Sequence, residues 1–166
     1  MEMEIDVTRM PPSKSREISR LSFSVPPLEG HEPHFYKIVA DYFGDTAFVA
    51  YRDGEIVGFA FGIVSQVETD LFFLWQLGVR EDVRSSGVGR RLVTSVLEAA
   101  AMKGCRRAVA TVLKENTTGM KFFESMGFKN VSAKFDESKG DASGLFYVPN
   151  FYYEGENILV YEKEIC

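Results

Sequence analysis

Residues 84–89 read Arg-Ser-Ser-Gly-Val-Gly and stand between the apolar run Leu71–Val79 and a stretch, 90–102, rich in Leu, Val and Ala. Small residues at Ser85, Ser86, Gly87 and Gly89 let a backbone approach a ligand closely, and successive N–H groups at a helix start point at negative oxygens. The chemistry this spacing offers is capture of a phosphate by main-chain amides. Arg84 enters the loop and is the first-contact cation, while Arg90 or Arg91 can instead cover the exposed helix surface. An ordinary flexible turn accounts for the same residues. The dinucleotide glycine spacing with its later acidic partner is absent, as is the Gly-Lys-Ser/Thr ending of a nucleotide-triphosphate loop.

A second group of reactive side chains lies in 28–36, Leu-Glu-Gly-His-Glu-Pro-His-Phe-Tyr. Glu29 or Glu32 can attract an ammonium group, and His31 or His34 can accept a proton near neutral pH. A loop containing Gly and Pro also exposes such residues for solubility alone. Asp45 and Thr46 either order the turn after a helix or take part in chemistry, and the first is the simpler use of these residue types. Glu68 and Asp70 precede a strand and either form an acidic entrance or simply end it. Cys105 and Cys166 are the only cysteines. They make neither a disulfide scaffold nor a clustered metal site, and no neighbouring His supports a cysteine nucleophile.

The elements needed to hold these residues follow from periodicity and turn chemistry. A first strand is expected near 3–7, then a turn through Pro11 and Pro12 into a short helix, then a loop through Pro26, Pro27, Gly30 and Pro33 into a helix stopping at Gly44. Asp53-Gly54 separates two strand-like runs as a tight hairpin, with small residues thinning the second. In the strand 71–79, alternation assigns Leu71, Phe73, Trp75, Leu77 and Val79 to one face and Phe72, Leu74, Gln76 and Gly78 to the other, and the heavier set is expected in the core. Trp75 and Gln76 then lie on opposite faces, one in the core and one lining a groove. Val88, Leu92, Val96 and Ala99 recur at helical spacing, and a second strand–loop–helix unit follows, with a strand at 107–113 and a helix ending at Gly127. A last strand is expected at 157–164.

With 166 residues and 45% hydrophobic composition, the chain has the material for one core, and residues 1–166 are expected to form a single domain. Lys plus Arg total 19 against 24 Asp plus Glu. This acidity argues against a nucleic-acid surface while leaving room for a small basic patch around a phosphorylated cofactor. The first residues lack a basic start followed by an apolar core, and no apolar run approaches a membrane span, so no membrane association and a cytoplasmic location are expected.

The loop Arg84-Ser85-Ser86-Gly87-Val88-Gly89, its strand–loop–helix setting, and Asn-Thr-Thr-Gly-Met-Lys-Phe-Phe-Glu-Ser-Met-Gly-Phe at 116–128 resemble the Gcn5-related N-acetyltransferase (GNAT) family. The resemblance implies an α/β (mixed α+β) fold with a central, mixed, mostly antiparallel sheet flanked by helices, and acetyl-CoA as cofactor. By the same resemblance the diphosphate meets amides of Val88, Gly89 and neighbouring members of the run Arg84–Arg90, and the pantetheine arm follows strand 71–79 near Leu77 and Val79. The backbone amide of Leu77 is then the oxyanion donor, favoured by a strand distortion around 76–78. Asn116 is a cofactor contact, a helix cap, or both. Phe123 stands beside the cofactor where many members have Tyr; it cannot donate a proton, and core packing explains it equally. Tyr153 or Tyr147 are substitutes for that acid.

Several stretches also resemble the family's diaminobutyrate acetyltransferases: Tyr36 through Phe43, Gly44-Asp45-Thr46, Phe73-Leu74-Trp75-Gln76-Leu77-Gly78-Val79, and 156–161. Segment 28–36 differs from that group's pattern. The implied acceptor is a small primary amine, with Glu29 and His31 as catalytic candidates and Glu32, His34, Tyr36, Asp45, Trp75 and Gln76 as acceptor contacts. Acetylation of a protein lysine or N-terminus, and a non-catalytic acyl-CoA-binding module, are the alternatives. The aromatic-rich tail suits either a homodimer contact or core packing within one chain.

Overall fold

The computed structural model describes residues 4–166 and arranges them around a nine-stranded sheet. In chain order the elements are strand β1 (Asp6–Arg9), helices α1 (Ser15–Phe23) and α2 (Pro33–Tyr42), and strands β2 (Ala47–Arg52), β3 (Glu55–Val64) and β4 (Leu71–Val79). Helix α3 (Val88–Met102), strand β5 (Arg107–Leu113) and helix α4 (Thr117–Ser125) come next. Strands β6 (Lys129–Asn130), β7 (Lys139–Gly140), β8 (Phe146–Pro149) and β9 (Asn157–Glu164) complete the chain. The spatial order is β1-β2-β3-β4-β5-β9-β8-β7, with β6 also paired to β9. Among the described residues only the β4–β5 pair is parallel. This is the mixed, mostly antiparallel sheet that the family resemblance implied. The first strand is displaced from its expected place: residue 3 lies outside the described residues, and pairing to β2 runs from Asp6 to Arg9.

Local chemistry explains the boundaries. Asp53 and Gly54 both adopt positive φ, 51° and 79°, as a two-residue hairpin between right-twisted strands requires. Pro33 begins α2, where its missing N–H costs nothing. Helix α3 buries Val88, Leu92, Val93, Val96, Leu97 and Ala100 along one stripe. Each large side chain so removed from water contributes about 1.5–3 kcal/mol, so this stripe outweighs any propensity term in holding α3 to the sheet. Helices α3 and α4 cover one face, packing on Phe72, Leu74, Ala110 and Leu159. Helices α1 and α2 cover the other through Ile18, Tyr36 and Val39 against Val49, Phe59 and Phe61.

Strand β4 departs from simple alternation. Phe61 pairs with Gln76 and Gly62 with Leu74, leaving Trp75 as an extra, bulged residue. A bulge reverses which residues face which side. Before it, Phe72 and Leu74 join the α3 core; after it, Leu77 and Val79 do. Across the strand, the residues most removed from water are Phe72, Leu74, Gln76 and Gly78, so the heavier set is not the buried one. Trp75 and Gln76 also share a face: Trp75 packs against Phe35 and Phe61, and Gln76 bonds to Tyr36. Gly62 opposite the bulge accommodates it, because a Cβ there would collide with the Phe73 carbonyl and the Phe72 ring.

Candidate active site

The parallel β4–β5 ladder has only three residue pairs, ending at Phe73 and Val109, although both strands continue. Residues 74–79 therefore turn an unpaired edge toward β5. The opening starts beside the Trp75 bulge, which bends β4 away from its neighbour. Leu77 and Val79 lie on this opened stretch.

The glycine loop stands at the end of the same stretch. Ser85 and Gly87 have φ of 70° and 86°, both left-handed, so the chain turns tightly before Val88 begins α3. The first intrahelical bond of this turn runs from the Arg91 N–H to the Gly87 carbonyl, at 3.0 Å. The N–H groups of Val88, Gly89 and Arg90 precede it and have no helical acceptor. The loop thus offers several amides together with the positive end of the helix dipole. A Cβ at Gly87 would meet nothing within 4 Å, so its glycine serves the positive φ, whereas one at Gly89 would lie 3.3 Å from Phe122 of α4.

Arg84, Ser86, Arg90 and Arg91 make structural bonds within the protein. Arg84 Nε donates to the Val79 carbonyl at 3.1 Å, tying the loop back to the end of β4. The Ser86 hydroxyl donates to the Val83 carbonyl. Arg90 reaches Ser125 at the end of α4, and Arg91 donates to the Ile5 carbonyl. Main-chain amides, more than arginine side chains, are left to meet a ligand. Asn116 caps α4, its Oδ1 accepting from Gly119 N–H at 2.9 Å, with its carboxamide nitrogen still available. Phe123 is buried, stacked on Tyr161 with ring centroids 6.2 Å apart. Burial, reinforced by Glu124, pushes the Tyr161 phenol up to about 12, and its hydroxyl donates to Glu124 at 3.2 Å.

On the α1–α2 face, the segment joining those helices lies against β4. Gln76, only 5% exposed, donates from Nε2 to the Glu29 carbonyl at 2.8 Å and accepts at Oε1 from the Tyr36 hydroxyl at 2.9 Å. Leu28 approaches Gly78 closely enough that a Cβ there would be 3.0 Å from it. Glu29 is exposed beside this contact, and burial raises the Tyr36 phenol above its ordinary value. His31 stacks on Phe35 at 4.0 Å, and Phe35 meets the edge of Trp75, which is 43% exposed. Glu32 and His34 are exposed at the start of α2. Tyr153 is exposed on the loop between β8 and β9, whose Tyr152 hydroxyl lies 3.4 Å from Thr111 Oγ1. The sequence does not place Thr111 and Tyr152 together. The alternation of β5, with Ala108, Ala110 and Val112 inward, is the signal that turns Thr111 toward this face.

Asp45 stands apart from the glycine loop. It is ion-paired with Lys103 at 2.7 Å and Arg9 at 3.0 Å, Lys103 chiefly holding its carboxyl below the usual range. Lys103 follows the last turn of α3 while the glycine loop precedes the first. A fifteen-residue helix spans about 22 Å, so Asp45 is a helix length from the loop. A hollow of about 940 Å³ lies at this far end, lined by Arg9, Tyr42, Phe43, Asp45, Met102 and Lys103, and it shares none of the groups around Leu77.

The acetyltransferase (GNAT) family model matches residues 15–128, which include β4, the glycine loop, α3, β5 and α4. The chain belongs to the GNAT acetyltransferase family. Among curated proteins it is similar to the L-2,4-diaminobutyric acid acetyltransferases of Chromohalobacter salexigens, 36% identical, and Halomonas elongata, 34% identical. Each match covers 110 residues, 66% of this chain and 57% of the relative, so this GNAT chain spans little more than half the length of these relatives. Among solved structures it resembles the diaminobutyrate acetyltransferase EctA from Paenibacillus lautus, determined with L-2,4-diaminobutyric acid and coenzyme A. The TM-score is 0.73 at 22% identity over 96% of this chain and 95% of that one. Ard1 from Thermoplasma volcanium gives a TM-score of 0.78 at 16% identity, covering 98% of both chains. At these identities the likeness is one of fold, and it extends over almost the whole of this GNAT chain.

Proposed function

We propose that this chain is an acetyl-CoA-dependent N-acetyltransferase acting on the primary amine of a small molecule, with L-2,4-diaminobutyrate as the first acceptor to test. The observation that carries this reading is the opened edge of β4 beyond Phe73, with the unpaired amides of the glycine loop at its end. Family membership and the 36% identity to a diaminobutyric acid acetyltransferase support it. The residues present fit the coenzyme: close-approach glycines and helix-start amides suit a diphosphate, and an unpaired strand edge suits the amide-rich pantetheine arm.

Acetyl-CoA, when bound, supplies an activated acyl group. The amides of Val88, Gly89 and their neighbours hold the diphosphate, and the backbone of Leu77 and Val79 orients the arm. The Leu77 N–H would stabilise negative charge developing on the acyl oxygen. Acceptor groups come from the other face. Glu29, held beside β4 through its carbonyl, attracts the ammonium form of the amine and takes its proton, so that a neutral amine faces the acyl carbon. His31 is the second candidate for that proton. Phe123 has no proton to give, so water or an exposed tyrosine such as Tyr153 would supply the proton that CoA release needs.

The test is an acetyl-CoA assay over diamino acids, polyamines, ordinary amino acids and short peptides, with products identified by mass. Acetylated diamino acid with release of CoA is the expected result. Transfer only to peptide amines, or coenzyme binding without any product, overturns the assignment. Exposed Phe146, Tyr152 and Tyr153 support a homodimer contact, which light scattering on the purified chain tests.

A further inference from the structure

Gln76 is a polar side chain buried on a face otherwise built from Tyr36, Phe59 and Phe61. Both ends of its carboxamide are engaged, one donating to the Glu29 carbonyl and one accepting from Tyr36. Tyr36 is itself fully buried on α2, edge-on to Phe59 at 5.4 Å and to Phe35 at 5.2 Å, so it is a fixed post. Glu29 lies in the irregular segment between α1 and α2. That segment is held from the helix side by Ser19 and Ser22, which bond the His31 carbonyl and N–H. From the sheet side, its side-chain tie is Gln76. In sequence Gln76 stands between the bulged Trp75 and Leu77, whose amide faces the opened β4 edge.

We infer that Gln76 is a positioning residue, whose carboxamide fixes the Glu29 segment against the β4 bulge so that an acceptor amine lies opposite the Leu77 amide. This role in transfer rests on the function proposed above; the tie itself does not. The geometry demands a group that donates at one end and accepts at the other. Met matches the volume but leaves the Glu29 carbonyl without its donor. An ionised Glu presents oxygen to oxygen, and only its protonated form restores the donor.

The test uses the full chain with Q76M, Q76E and Y36F. In Q76M, amide hydrogen exchange is expected to accelerate across 24–32 while 85–91 keep their wild-type protection, and the acceptor KM to rise about ten-fold, the scale of one lost buried hydrogen bond. The dissociation constant of CoA, measured by calorimetry, stays within two-fold. Q76E is expected to regain acceptor affinity as pH falls, relative to wild type at each pH, a response that a packing role would not produce. Y36F, which folds with the smallest change in shape, gives the same exchange pattern to a lesser degree. Wild-type exchange across 24–32 in both Q76M and Y36F overturns the inference, as does a ten-fold loss of CoA affinity matching the loss for acceptor. If the wild-type chain transfers no acetyl group, the proposed function fails, and the exchange measurements still decide whether Gln76 holds the segment.

Discussion

Gly87 combines a φ of 86° with open space around its missing Cβ, so a side chain there is opposed by backbone conformation alone. Gly87→Ala is expected to lower unfolding free energy by about 1–2 kcal/mol, the cost of a left-handed L-residue, in a denaturant titration. It should also weaken CoA binding in calorimetry, because its relaxation turns the neighbouring amides away. Asn116 gives a second residue-scale expectation. As the cap of α4 it contributes about 1 kcal/mol, so Asn116→Ala is expected to destabilise by that amount while Asn116→Ser keeps most of it. If Asn116 also meets the coenzyme through its nitrogen, the Ser variant binds CoA more weakly despite its retained stability.

At the scale of elements, the bulge in β4 governs the site, because it opens the gap to β5, turns Gln76 toward α2 and swaps the faces of the strand. Gly62 makes room for it. Gly62→Ala drives a methyl group into the Phe73 carbonyl and is expected to cost about 1–3 kcal/mol, as overpacking does. Thermal unfolding checks the stability, and calorimetry checks the accompanying loss of CoA affinity at a site the mutation does not touch. The sequence contains a trace of this feature in Phe-Gly-Ile, where Gly62 is one of the small residues that thin β3. Alternation over 71–79 hides it, since a period of two carries no mark of where one residue is inserted.

At the scale of the molecule, the ends of α3 separate two regions. Asp45→Ala breaks the pairs with Arg9 and Lys103 and is expected to leave acceptor KM unchanged in the acetyl-transfer assay, because that cluster stands a helix length from the glycine loop. Acid stability is a property of the whole surface. Arg80, with Arg52, holds the Asp82 carboxyl at about 2, and Ser143, with the Leu145 N–H and Lys114, holds Asp141 at about 2. Both lie below the ordinary value of about 3.9, so the unfolded chain binds these protons more readily than the folded one. Their contribution is complete above about pH 4 and is lost as pH falls toward 2. Melting temperatures recorded from pH 6 to 2 are expected to hold level and then drop within that window.

The residues alone determined the strand–loop–helix order, the hairpin at Asp53-Gly54, the limits of β4 and β9 and the likeness to the GNAT family, because turn chemistry and periodicity act over a few neighbouring positions. Only the tertiary structure decided that Trp75 and Gln76 share a face, that Asp45 belongs to the far end, that the loop arginines are turned to structural bonds, and that Gln76 joins Glu29 to Tyr36. Each of these joins positions far apart in the chain or follows from one inserted residue, and such relations are set by strand register and helix packing, which no local pattern encodes.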